Sequence, residues 1–179
     1  MKTMRNSNAK RERLLPASLT AAIILVDQIT KALVARFIPE DHIGVRVLGD
    51  YVRIIHARNH GIAFSMGVGL PAELRAIFFA LLPLIVVLVL VVYYLRTSDL
   101  SRLQRWAIAG IVGGGIGNLI DRIFRPNGVV DFIDARFFGI FGLDRWPTFN
   151  VADSSVVVCG ILLLIAFLTD DGRKHEQKG

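Results

Sequence analysis

Long apolar runs alternate with short polar stretches along this chain, and four of the runs are long enough to cross a bilayer as helices, which takes about 20 residues each. They lie near Leu14–Phe37, Pro71–Leu95, Gln104–Phe124 and Val151–Thr169. The second reads LLPLIVVLVLVVYYL at its heart, and Pro83 predicts a kink there. The connections differ in character. Arg96–Leu103 is short, whereas Ile38–Leu70 contains VRVLGDYVRIIHARNHGIAFSMG, whose β-branched stretches predict short strands around Gly49-Asp50. Arg125–Asn150 mixes aromatics with Asp131, Asp134, Arg136, Asp144 and Arg145, and Trp146 and the Phe137-Phe138 pair suit a membrane-water interface. The predicted fold is an all-α polytopic membrane protein. It has four transmembrane helices, a small β-rich extracytoplasmic segment between helices 1 and 2, and one domain over residues 1–179.

Composition agrees with this pattern: 53% of the 179 residues are hydrophobic, and the mean hydropathy is +0.52. The lone cysteine, Cys159, lies in an apolar run and forms no intrachain disulfide. The net charge of +6 would suggest nucleic acid as a partner on a soluble protein, but its placement argues otherwise. Four spans put both termini on one side. That side holds Lys2, Arg5, Lys10, Arg11 and Arg13, then Arg96, Arg102 and Arg105, then Arg173, Lys174 and Lys178. All of the net charge falls there, so the side is assigned to the cytoplasm and no nucleic-acid partner is expected. Basic residues ahead of the first span also suit a signal peptide. The span is longer than a signal's apolar core and carries Asp27 and Lys31, so it is read as a retained helix.

Charges inside a span are costly and mark candidate functional sites. Asp27 lies roughly 20 Å in from Leu14, and Lys31 stands one helical turn further on the same face. Asn118, Asp121 and Arg122 fall roughly 21–27 Å past Gln104. Asn150 and Asp153 open the fourth span. Three helices therefore place polar groups at one depth, near the outer interface, while the second span contributes no such group to this cluster and is expected to face lipid. Gly110/Gly114 and Gly113/Gly117 in the third span have the small-xxx-small spacing that permits close helix approach.

Asp131 and Asp153 are the candidate pair. Two carboxylates brought together among apolar neighbours share a proton, and one can activate water while the other protonates a leaving group. The alternative from spacing is structural: both acids cap helices or pair with Arg122 and Arg136. Asp27 with Lys31, and Asp121 with Arg122, read as internal ion pairs. Asn59 can donate to a substrate carbonyl or serve a turn. Ser65 lacks a G-x-S-x-G elbow, and His56 with His60 lack the H-E-x-x-H context of a metal site, so no metal and no cofactor are expected. The rival function is a small ion or solute transporter using the intramembrane charges. Against it, these groups sit at one depth and do not line a route to the cytoplasm.

Five blocks carry a family resemblance. They are Asp27-Gln28-Ile29-Thr30-Lys31, Asn59-His60-Gly61-Ile62-Ala63-Phe64-Ser65, Gly117-Asn118-Leu119-Ile120-Asp121-Arg122, Val129-Val130-Asp131-Phe132-Ile133-Asp134 and Phe149-Asn150-Val151-Ala152-Asp153. In this order the chain resembles the lipoprotein signal peptidases (signal peptidase II), bacterial aspartic endopeptidases. The resemblance implies that Asp131 and Asp153 are catalytic. It implies site roles for Asp27, Lys31, Asn59, Gly61, Asn118, Asp121, Arg122 and Asn150. A multi-pass protein of the bacterial inner membrane, monomeric and in contact with membrane lipid, is expected. Its substrates would be diacylglyceryl-modified prolipoproteins, cut before the lipidated cysteine. Val156 departs from the isoleucine common after the last motif, and Ala135–Thr148 aligns with no family pattern.

Overall fold

The computed structural model describes residues 14–59, 72–125 and 127–176. Its elements in chain order are α1 (Pro16–Phe37), β1 (Ile43–Arg46), β2 (Val52–Asn59), α2 (Ala72–Arg96), α3 (Arg102–Phe124), β3 (Val129–Ile140), β4 (Leu143–Arg145) and α4 (Val151–Glu176). All four helices are long and apolar enough to cross a membrane. The expected bounds hold to within a few residues, except that α4 runs on past Thr169 to Glu176. α1 begins with proline at its first turn, where a missing N–H costs nothing. Ser101 starts α3 with a capping box: its hydroxyl accepts from Gln104 N, and Gln104 Oε1 accepts from Ser101 N at 2.8 Å.

Burial runs opposite to that of a soluble bundle. On α1 the buried residues include Asp27, Lys31 and Val34, while Leu25, Ile29 and Leu33 are exposed. α3 is the central helix, with Ala107, Ile108, Gly113, Gly117, Asn118 and Asp121 all buried. It reaches its neighbours through glycine. A Cβ on Gly113 would lie 3.1 Å from the Thr20 backbone of α1, and one on Gly117 would lie 2.8 Å from Asp27 Oδ2. A Cβ on Gly110 or Gly114 would collide with α4, at Cys159 Sγ and at the Ala152 carbonyl oxygen. Both expected glycine pairs thus serve close packing, each against a different helix. α2 packs on α3 through Val87, beside Ile108, Val112 and Leu119, and otherwise exposes leucine and valine, as expected of a lipid-facing helix.

The extramembrane part corrects one expectation. Both segments outside the membrane on that side build the sheet, not the α1–α2 connection alone. β1 to β4 form one antiparallel sheet in sequence order. The hairpin around Gly49 occurs as expected, with Gly49 at φ +57° in the turn between β1 and β2. β2 and β3 pair with Asn59 opposite Val129, Ala57 opposite Asp131 and Arg53 opposite Asp134, with a bulge between Ile54 and Ala57. Phe149 then bridges to Ile133 through hydrogen bonds of 2.8 and 3.1 Å, which lays the start of α4 against β3. Val130 and Phe132 pack with Val34 of α1 to join sheet and helices.

The glycine contacts give a direct test. Gly114→Ala, whose new methyl meets backbone, lowers the melting temperature in detergent by roughly 5 °C. Gly160→Ala, which meets nothing within 4 Å, leaves it unchanged. Equal melting temperatures for the two variants would remove the argument for glycine-mediated contact.

Candidate active site

The site grows from α1 outward. Lys31 follows Asp27 by one turn, so both lie on the inner face, and neither side chain is exposed. Lys31 Nζ lies 2.8 Å from Asp27 Oδ2 and 3.0 Å from Asp121 Oδ2 on α3, and donates to Asn118 Oδ1 at 2.8 Å. Gln28 Nε2 adds donations to Asp121 Oδ1 at 3.1 Å and to the Gly117 carbonyl at 3.0 Å. The remaining carboxylate capacity goes to backbone. Asp27 Oδ1 accepts from Ala152 N at 2.9 Å, taking an N–H that the first turn of α4 cannot satisfy itself. Asp121 Oδ2 accepts from Val130 N at 3.3 Å, at the start of β3. A lysine, two aspartates and a glutamine therefore tie three helices and a strand together.

The network then passes to the candidate pair. Asn150 and Asp153 form a reciprocal cap of α4: Asp153 N donates to Asn150 Oδ1 at 2.9 Å, and Asn150 N donates to Asp153 Oδ2 at 3.1 Å. This uses the Asn150 oxygen and leaves its amide NH2 to donate to Asp131 Oδ1 at 2.7 Å and Asn118 Oδ1 at 3.1 Å. Asn118 Nδ2 donates to Asp153 Oδ1 at 2.7 Å. Asn59 Nδ2, from β2, donates to Asp131 Oδ2 at 2.9 Å. Each carboxylate is thus held on both oxygens by neutral donors, and Asn150 touches both acids. Burial first, and then the charge of Asp153, push the Asp131 carboxyl up to about 6, against the Asn59 and Asn150 hydrogen bonds and the Lys31 charge. A carboxyl in that range exchanges protons near neutral pH and suits acid–base work.

Of the expected site residues, Asp27, Lys31, Asn59, Asn118, Asp121, Asp131, Asn150 and Asp153 meet in this one network. The Asp27–Lys31 ion pair is as expected. The Asp121–Arg122 pair is not: Asp121 pairs with Lys31 and, at 3.3 Å, with Arg125 Nε. Arg122, adjacent to Asp121, points elsewhere on the helix. Among the described residues it makes no ion pair, and its half-buried charge acts on Asp153 and Asp131 through space. The structural alternative holds in part, since Asp153 does cap a helix. Among the described residues neither acid pairs with an arginine, and Arg136 lies over the Phe138 ring instead. Gly61 lies outside the described residues, as do His60 and Ser65. His56 is buried in β2 with Nδ1 2.8 Å from the Ile38 carbonyl oxygen.

Some participants were not singled out beforehand. Gln28 carried a usable signal, being a polar side chain within a membrane span. The N–H groups of Val130 and Ala152 carried none, because side-chain letters do not announce backbone donors. Asp134, nearly buried, accepts from Arg53 Nε at 2.6 Å and also from Arg145, joining β2, β3 and β4. Its partners lie 81 and 11 residues away in sequence, a distance that only the register resolves.

Four spans and a buried acid–amide network under a small sheet define a multi-pass membrane protein with the makings of an acid–base enzyme. Comparison with known proteins narrows this: the model of the signal peptidase (SPase) II family matches residues 19–169, and the chain belongs to that family of proteases. It is 48% identical over 174 residues to the lipoprotein signal peptidase of Treponema pallidum, covering 97% of this chain and 94% of that one. Identity to the Treponema denticola lipoprotein signal peptidase is 50% over 171 residues, covering 96% and 98%. Among solved structures, a bacterial membrane enzyme determined by the in meso method at 2.3 Å resolution is similar, with a TM-score of 0.75 and 30% identity, over 89% of this chain and 91% of that one. A second such enzyme, at 1.9 Å, has a TM-score of 0.74 and 31% identity over 87% and 94%. The transporter alternative falls with this membership.

Two measurements check the site's energetics. Lys31→Met leaves Asp27 and Asp121 buried without their shared cation, and is expected to lower unfolding stability in detergent by about 3–5 kcal/mol. A loss under about 1 kcal/mol would contradict a bracing role. Asp131 supplies the pH test. Its folded-state value of about 6 exceeds the 3.8 of a free carboxyl. The folded chain therefore keeps a proton that the unfolded chain releases, and stability falls as pH rises through about 6. Asp131→Asn is neutral throughout. Its stability relative to wild type should improve by up to about 3 kcal/mol between pH 4 and pH 7. A pH-independent difference would refute the raised value.

Proposed function

We propose that this chain is an aspartic endopeptidase that removes signal peptides from diacylglyceryl-modified prolipoproteins, cutting before the lipidated cysteine, with Asp131 and Asp153 as the catalytic dyad. The observation that carries the reading is Asn150, which hydrogen-bonds both carboxylates in a protein of the signal peptidase II family. One domain spans the chain. Both termini are cytoplasmic, the sheet lies outside the cytoplasmic (inner) membrane, and the site sits near the outer face. A lipid-anchored substrate keeps its acyl chains in the bilayer and presents its scissile peptide at that depth.

In the mechanism, one carboxylate is ionised and the other protonated. The ionised one takes a proton from water as the water oxygen attacks the peptide carbonyl carbon. The protonated one gives its proton to the carbonyl oxygen, forming a neutral gem-diol with no covalent bond to the enzyme. The proton taken from water then passes to the peptide nitrogen as the C–N bond breaks, and the diol returns a proton to the dyad. Asn59, Asn118 and Asn150 hold the carboxylates by donating to them, which keeps their lone pairs aimed while leaving proton exchange to the acids. Asp27, Lys31 and Asp121 brace Asn118 and, through it, Asn150. Arg122 supplies positive field to both acids, and Gly61 belongs to the same site by its place in the Asn59–Ser65 motif.

The test is cleavage of a diacylglyceryl-modified prolipoprotein by the purified protein in detergent. Asp131→Asn and Asp153→Asn each lower cleavage by about a thousandfold or more while the protein stays folded, as judged by melting temperature. A prolipoprotein lacking the diacylglyceryl group is not cut. Substantial cleavage by either variant would remove the dyad assignment.

A further inference from the structure

At the end of α1 and α3 nearest the sheet lies a second, unassigned feature. A recess of about 260 Å³ is lined by Ala32 and Ala35 of α1, Arg58 of β2, Phe124 at the end of α3, and Arg125 and Asn127 just beyond it. Its chemistry is divided. One wall is apolar and continuous with the lipid-facing surface, for Ala32, Leu33, Phe37, Ile123 and Phe124 are all exposed. The other carries two guanidiniums, each with five N–H donors.

Those donors are poorly used. Arg58 Nε is buried without a hydrogen-bond partner. Its counter-ion, half-exposed Glu40, stands 3.7 Å away, beyond hydrogen-bond length. Among the described residues Arg125 reaches one acid, Asp121, at 3.3 Å, and that carboxylate already serves Lys31, Gln28 and Val130. Among the described residues neither guanidinium makes a hydrogen bond of ordinary geometry. Buried guanidinium donors normally find oxygen acceptors, and planar forks of this kind match phosphate oxygens.

We infer that this recess binds a phospholipid of the leaflet on the sheet's side. The phosphate diester takes the N–H groups of Arg58 and Arg125, Asn127 lies beside the headgroup, and an acyl chain lies along Ala32, Ala35 and Phe124. The depth suits this, since Arg125 caps the end of α3, Arg58 of β2 lines the same recess, and the alanines lie within the last two turns of α1, where headgroups meet hydrocarbon. Alanine leaves the groove that a chain requires. The site is separate from the proposed dyad. It borders the catalytic network through Arg125 and Asp121, and through Arg58, which precedes Asn59 and pairs in register with Val130 beside Asp131.

Native mass spectrometry of the full chain, purified in detergent and exposed to dioleoyl phosphatidylglycerol, tests the assignment. Wild type retains one lipid. Arg58→Gln and Arg125→Gln each weaken retention about tenfold, as loss of a charge-assisted hydrogen bond requires. Arg36→Gln, on the exposed face of α1 and outside the recess, changes nothing. Dioleoylglycerol, which lacks the phosphate, is not retained, and inorganic phosphate does not raise the melting temperature. Because Arg125 also touches Asp121, Arg58→Gln is the deciding variant. Undiminished retention by that variant overturns the proposal, as does equal retention of dioleoylglycerol. Stabilisation by inorganic phosphate equal to that by the lipid would make the recess an anion site with no lipid role.

Discussion

Inside the helical bundle one ammonium, Lys31 Nζ, stands within 3.0 Å of two carboxylates and donates to an amide. An unpaired charge at that place would be prohibitively costly, so the three helices have no low-energy arrangement that separates these groups. Each partner of Lys31 has a second attachment. Asp27 holds the first turn of α4, Asp121 holds the start of β3, and Asn118 holds Asp153 and Asn150. The positions of both proposed catalytic acids therefore descend from one buried cation through two or three hydrogen bonds.

Such a network forms only if helix axes come close, and in a bilayer the hydrophobic effect does not press helices together. Glycine supplies the approach. Gly113 and Gly117 admit α1, Gly110 and Gly114 admit α4, and Gly117 seats directly against the Asp27 carboxylate. The same geometry explains why α3 is the most buried span and α2 the most lipid-exposed. Among the described residues, α2 brings no polar group to the network.

The sheet completes the site from outside the bundle. Asp131 is carried by β3, whose place is set on one side by β2, with Asn59 and Arg53, and on the other by the Phe149 bridge. The Asp134 carboxylate clamps β2 and β4 to β3 through Arg53 and Arg145, so the strand bearing Asp131 is held along its length. Burial at that junction raises the proton affinity of Asp131, so the position of the carboxylate and its chemistry have the same cause.

Much of this was legible in the chain itself. The four spans, the common depth of Asp27, Lys31, Asn118, Asp121, Asn150 and Asp153, and the glycine contacts follow from hydrophobic run lengths and helical periodicity. Both are local properties. The Asp27–Lys31 pair is equally local, one turn apart on one helix. Other features depended on the assembled fold. Asp121 chose Lys31 and Arg125 over its neighbour Arg122, because adjacent residues on a helix point about 100° apart. The stretch around Asp131 became strand β3, because its partner β2 lies on the far side of two helices in sequence, and β4 then folds back on β3. Asn150 came to bridge the two acids because its oxygen is committed to capping α4, which leaves only its amide to turn inward. The sequence determined which groups lie at which depth; the tertiary structure decided which of them meet, since hydrogen-bond direction depends on helix rotation and strand register.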